Sequence, residues 1–129
     1  MWTTISYGLA TAAVILIVAG LALARDRRRH IPLMLAAFGL DLIGLVIVEF
    51  VAPSVENKTD PVRSLADESM MSIAVIHAAF STLTLVAYVA QVITGAKLMK
   101  DRSALQGHKR WAIFFVLMRL GAYVTMWMV

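Results

Sequence analysis

Four apolar runs, each about as long as a bilayer is thick, dominate this chain: residues 4–24, 31–52, about 71–96 and 111–129. A helix rises about 1.5 Å per residue, so roughly 20 residues cross a hydrocarbon core of about 30 Å. Each run meets that length, and together they leave no room for a separate soluble domain. Of the 129 residues, 60% are hydrophobic and only 16% charged, with a mean hydropathy of +0.80, far from the balance of a soluble chain this small. The expected fold is therefore all-α: a single four-span transmembrane domain over 1–129, arranged as an up-and-down four-helix bundle.

The charges orient it. Arg25, Arg27, Arg28 and Arg29 lie between the first and second runs, and Lys97, Lys100, Arg102, Lys109 and Arg110 between the third and fourth. The connection between runs two and three is acidic, with Glu56, Asp60, Asp67 and Glu68 against Lys58 and Arg63. Lysine and arginine are retained on the cytoplasmic side, so both short basic connections belong inside, and both termini outside. The basic patches would face anionic headgroups, which accounts for a pI near 9.9 and removes nucleic acid from the partners. Trp2, Trp111 and Trp127 suit the headgroup level.

Ala22-Leu23-Ala24 has the small-x-small form of a signal cleavage site. Yet no Lys or Arg precedes the apolar core, and the basic run from Arg25 to Arg29 resists export, so an uncleaved first helix is expected. Pro53 should end the second helix and Thr59-Asp60-Pro61 form a turn. Ser64 and Asp67 resemble a capping pattern, which would start the third helix near Leu65, outside the bilayer, and carry it to about Met99. Asn57-Lys58-Thr59 is a sequon in form only. No cysteine is present, so disulfides and thiolate metal sites are excluded.

Ionisable groups inside a bilayer are costly and face protein. Run two holds Asp41 and Glu49, and run four holds Arg119. Both runs start inside, which puts Asp41 and Arg119 at similar depth near mid-membrane as an expected ion pair. A structural clamp is the favoured reading of it, and a proton or ion relay the rival. In run three, His77, Ser81, Thr84, Tyr88, Gln91 and Gly95 recur at steps of three and four, one polar, small-residue stripe on a helix face. Close helix packing is its favoured explanation. Thr84, Tyr88 and Gln91 join Asp41 and Arg119 as the expected intramembrane polar cluster.

Of three histidines, only His77 lies within a run; His30 and His108 lie at the inner ends, roughly 25–30 Å away across the bilayer. One chain thus cannot supply two axial histidines to a haem. Glu49, Met70, Met71 and Met126 should come near His77 in the outer leaflet, and thioether with imidazole suits Cu(I). Methionine equally fills gaps in apolar bundles. Haem and copper are the cofactor chemistries to weigh, and neither is favoured.

Arg28-Arg29-His30 with Leu33-Met34, His77 in the third run, and Gly107-His108-Lys109-Arg110 before the fourth resemble the YozB-like family of small bacterial membrane proteins, over runs two to four. The resemblance implies His30, His77 and His108 as the family-pattern positions, a bacterial inner (cytoplasmic) membrane, and an accessory role near respiratory or redox machinery. It implies no activity.

No nucleophile elbow, phosphate loop, catalytic carboxylate pair or zinc-protease helix occurs in the sequence, and no enzyme class is favoured. The expectation is a non-catalytic accessory or subunit protein, its partners the lipid bilayer with other membrane subunits or further copies of itself. The alternatives are a redox, copper or haem protein using His77, and an ion or proton conduit through Asp41 and Arg119.

Overall fold

A run of apolar residues with no charge from Trp2 to Ala22 forms helix α1, Trp2–Ala22. A turn at 23–26 reverses the chain into α2, Arg27–Val46. Asp26 caps α2: its carboxylate accepts from the Arg28 backbone N–H at 3.1 Å and pairs with the Arg29 side chain at 3.4 Å. Three arginines in a first turn oppose the helix dipole, and one acid placed at the cap offsets part of that cost. The helix thus starts a turn before the apolar run itself.

The third run forms α3, Glu68–Lys100, whose 33 residues span about 50 Å, well beyond a hydrocarbon core of about 30 Å. It ends on Lys97 and Lys100, where cations complement the carboxyl end of the dipole. Asp101 then caps a short 3-10 helix, Arg102–Ala104, and the chain enters α4, Leu105–Met126. The computed structural model describes residues 2–47 and 68–128, and no strand occurs among them. Glu49, Pro53, the sequon, the turn at Thr59-Asp60-Pro61 and the expected cap at Ser64 fall outside those residues.

The chain divides into two compact units, Met1–Pro61 and Val62–Val129. In the first, α1 packs on α2 as an antiparallel hairpin. Gly20 lets the helices close: a Cβ there would stand 2.9 Å from Met34 Sδ and 3.5 Å from Leu33 Cβ. Further along, Gly44 faces Leu9. In the second unit, α3 packs on α4, again antiparallel.

Among the described residues, three helical stretches are long and apolar enough to cross a membrane: Thr4–Ala22, Arg27–Val46 and Ser72–Lys100. The fourth expected span differs. Helix α4 is 22 residues long, and every 18-residue stretch of it includes Lys109, Arg110 and Arg119. Surfaces are apolar on all four helices. Ile15 on α1, Ile43 on α2, Val75 on α3 and Ile113 on α4 are all more than half exposed, while Arg119 is only 7% exposed. A water-soluble protein places these classes the other way round.

Candidate functional site

The polar stripe of α3 lies along its contact with α4. His77 stands near one end of the hairpin and Gly95 near the other, as their contacts on α4 show. At the first end, Thr125 Oγ1 donates to the Gly121 carbonyl at 2.8 Å. With its proton so committed, the hydroxyl accepts from His77 Nδ1–H at 2.9 Å. That bond assigns the tautomer, and His77 Nε2 accepts from Ser81 Oγ–H at 3.4 Å.

The other end repeats this chemistry with the helices exchanged. Thr94 Oγ1, on α3, donates to the Ala90 carbonyl at 2.7 Å and accepts from His108 Nδ1–H, on α4, at 3.0 Å. Gln91 Nε2 adds a bond to the His108 carbonyl at 3.2 Å. Gly95 opens the space for the imidazole, since a Cβ there would stand 3.5 Å from His108 Cε1. Thr94 follows His77 by 17 residues, and Thr125 follows His108 by the same 17. The two histidine–threonine clasps are therefore related by a local two-fold axis across the hairpin, about 26 Å apart along each helix.

Between the clasps the seam is tightly filled. Tyr88 and Phe115 stack at 4.5 Å between centroids, tilted by 55°, and Phe115 is the largest fully buried side chain. Thr84 is buried and returns its hydroxyl proton to the Phe80 carbonyl at 2.7 Å. Phe80 lies over Gly121, where a Cβ would come within 2.7 Å of the ring. Arg119 is buried on α4, and Asp41 lies half-buried on α2, in the other unit. Among the described residues, every buried side-chain nitrogen and oxygen has a hydrogen-bond partner.

His30 belongs to the first unit and does a related job. Its Nδ1–H donates to the Gly20 carbonyl at 2.7 Å, closing the carboxyl end of α1, where the Ala24 N–H has turned away to the Leu21 carbonyl at 3.1 Å. All three histidines thus bond the neighbouring helix of their own hairpin. For metal chemistry, His77 offers only the Nε2 lone pair, which Ser81 already faces. Met126 closes α4 one residue beyond the clasp, whereas Glu49 and the side chains of Met70 and Met71 lie outside the described residues. No group of three His, Asp or Glu close enough to hold a metal ion occurs among the described residues.

The sequence reading missed Thr94, Thr125, Phe80 and Gly121. The available signal was the equal spacing of 17 residues from His77 to Thr94 and from His108 to Thr125. Comparison with protein-family models, curated proteins and solved structures finds no match.

Proposed function

We propose that the chain is a four-span integral protein of a bacterial inner membrane, with both termini outside. In this reading it is a non-catalytic accessory or subunit protein that packs against other membrane subunits or further copies of itself. The observation that carries it is the distribution of polarity in the second hairpin. Exposed faces of α3 and α4 are Val, Leu and Ile, while His77, Gln91, Thr94, His108 and Thr125 bond one another or nearby backbone along the seam. In lipid there is no hydrophobic drive between helices, so close packing and interhelical hydrogen bonds hold them, and these side chains supply both. The fourth span tolerates Arg119 because its side chain is buried rather than lipid-facing. The bacterial membrane and the accessory role draw on the resemblance carried by His30, His77 and His108.

Reporter fusions test the topology: a fusion after Val129 should report the outside, and one within 101–104 the inside. Purification in detergent tests the role. A visible spectrum without a Soret band and a metal content well below one equivalent are expected; stoichiometric haem or copper overturns the accessory reading. Proton flux in proteoliposomes that is lost in Asp41→Asn would replace it with a conduit.

A further inference from the structure

The connection between α3 and α4 sets Lys97, Lys100, Arg102, Lys109 and Arg110 against one acid, Asp101. That acid faces elsewhere. Its Oδ1 accepts from the Ser103 backbone N–H at 2.9 Å and its Oδ2 from Ser103 Oγ–H at 2.6 Å. These bonds also hold the carboxyl below its usual range. Among the described residues none of the five cations has an ion-pair partner. At the first connection, by contrast, Asp26 pairs with Arg29. The second connection therefore carries a local excess of positive charge that the hairpin does not neutralise.

Beside it, Arg110, Trp111 and Phe114 line an open groove of about 240 Å³ on α4. The two rings meet edge to face at 5.7 Å and 86°, forming an apolar wall. Trp111 is 37% exposed. One helix face thus offers a guanidinium at the end nearest the basic connection and an aromatic wall running away from it.

We propose that this groove binds an anionic glycerophospholipid of the leaflet facing the basic connections. Its phosphate pairs with Arg110, and the upper part of one acyl chain lies on Trp111 and Phe114. The assignment rests on the membrane reading above. A free phosphate would satisfy the guanidinium but leave the aromatic wall uncovered, whereas a two-chain lipid engages both.

The test uses the full chain, purified in a nonionic detergent and stripped of lipid, with phosphatidylglycerol, phosphatidylcholine or inorganic phosphate added. Phosphatidylglycerol alone should raise the unfolding temperature and stay bound in native mass spectrometry. Arg110→Gln should weaken its retention about fivefold, the effect of one basic residue at an anionic surface, and Arg102→Gln, away from the groove, should weaken it less. A second measurement leaves Arg110 intact: quenching of Trp111 fluorescence by lipid brominated on its acyl chains, in a chain carrying Trp2→Phe and Trp127→Phe. Quenching should favour phosphatidylglycerol over phosphatidylcholine. Equal action of the two lipids, a phosphate effect matching that of phosphatidylglycerol, or equal losses in the two arginine variants overturns the site. Carbonate washing of membranes separates the two readings. A protein that stays with the membrane but shows no lipid preference loses only this site; one that washes free loses the membrane reading as well.

Discussion

The two hairpins begin alike and close differently. Each turns on an aspartate that accepts a backbone N–H two residues ahead, and each uses a histidine near the turn to bind the preceding helix. Beyond the turn, the buried residues of the first hairpin, among those described, are Ala13, Ile17, Gly20 and Ala37, all small or aliphatic. Those of the second include Thr84, Tyr88, Phe115 and Arg119. Small residues let two helices approach closely but fix their register weakly, because neighbouring registers offer similar contacts. The second hairpin adds to the histidine bond near its turn a histidine–threonine bond at its far end and a stacked ring pair, and together these hold one register. The first hairpin should therefore yield to substitution, and the second should resist until it fails.

The largest effect should come from emptying the second seam. Phe115→Ala removes a fully buried ring and its stack on Tyr88, and should cost about 2–4 kcal/mol of unfolding free energy in detergent. A cost as small as that of an exposed apolar change such as Ile113→Ala would break the contrast.

Glycine substitution compares the halves directly. Gly121→Ala drives a methyl into the Phe80 ring and should cost about 1–3 kcal/mol. Gly20→Ala meets the flexible Met34 thioether instead and should cost less than about 1 kcal/mol. Equal melting temperatures for the two variants would show that the first hairpin is no more yielding.

Each clasp can be cut alone. Thr125→Val and Thr94→Val should each cost about 1 kcal/mol, since a histidine N–H then loses its acceptor. A double-mutant cycle sharpens the point: coupling between sites so far apart would show that the clasps hold a single register rather than acting separately.

The smallest effect is at the second turn. The Asp101 carboxyl is held below its ordinary pKa by Ser103, so its contribution is present above the ordinary carboxylate range and fades as pH falls through the lowered value. Because the carboxylate is fully exposed, Ser103→Ala should change only the acid limb of a melting-temperature profile, and slightly.

Much of this architecture is legible in the sequence because lipid imposes a simple rule on helix length. The run at 4–24 becomes α1, residues 31–46 of the second run lie in α2, and the overlong third helix, expected from near Leu65 to about Met99, is described over Glu68–Lys100. The stripe from His77 to Gly95 is legible from its steps of three and four. Its partners are not. Thr94 and Thr125 look like ordinary helical residues until the opposite helix is placed, and His108 reads as a headgroup neighbour for the same reason. Gly121 is one glycine among seven, and only Phe80 across the seam makes it a notch. Helix α4 departs from its neighbours because Lys109 and Arg110 at its start join the buried Arg119 in every 18-residue stretch of it.

The equal spacing of the two clasps also limits how the second hairpin can move. Sliding α3 along α4 by one helical turn, about 5.4 Å, would separate His77 from Thr125 and Thr94 from His108 at the same moment. No intermediate position keeps one bond while the other reforms. A slide of that size therefore forfeits both clasps together, at about 1 kcal/mol each.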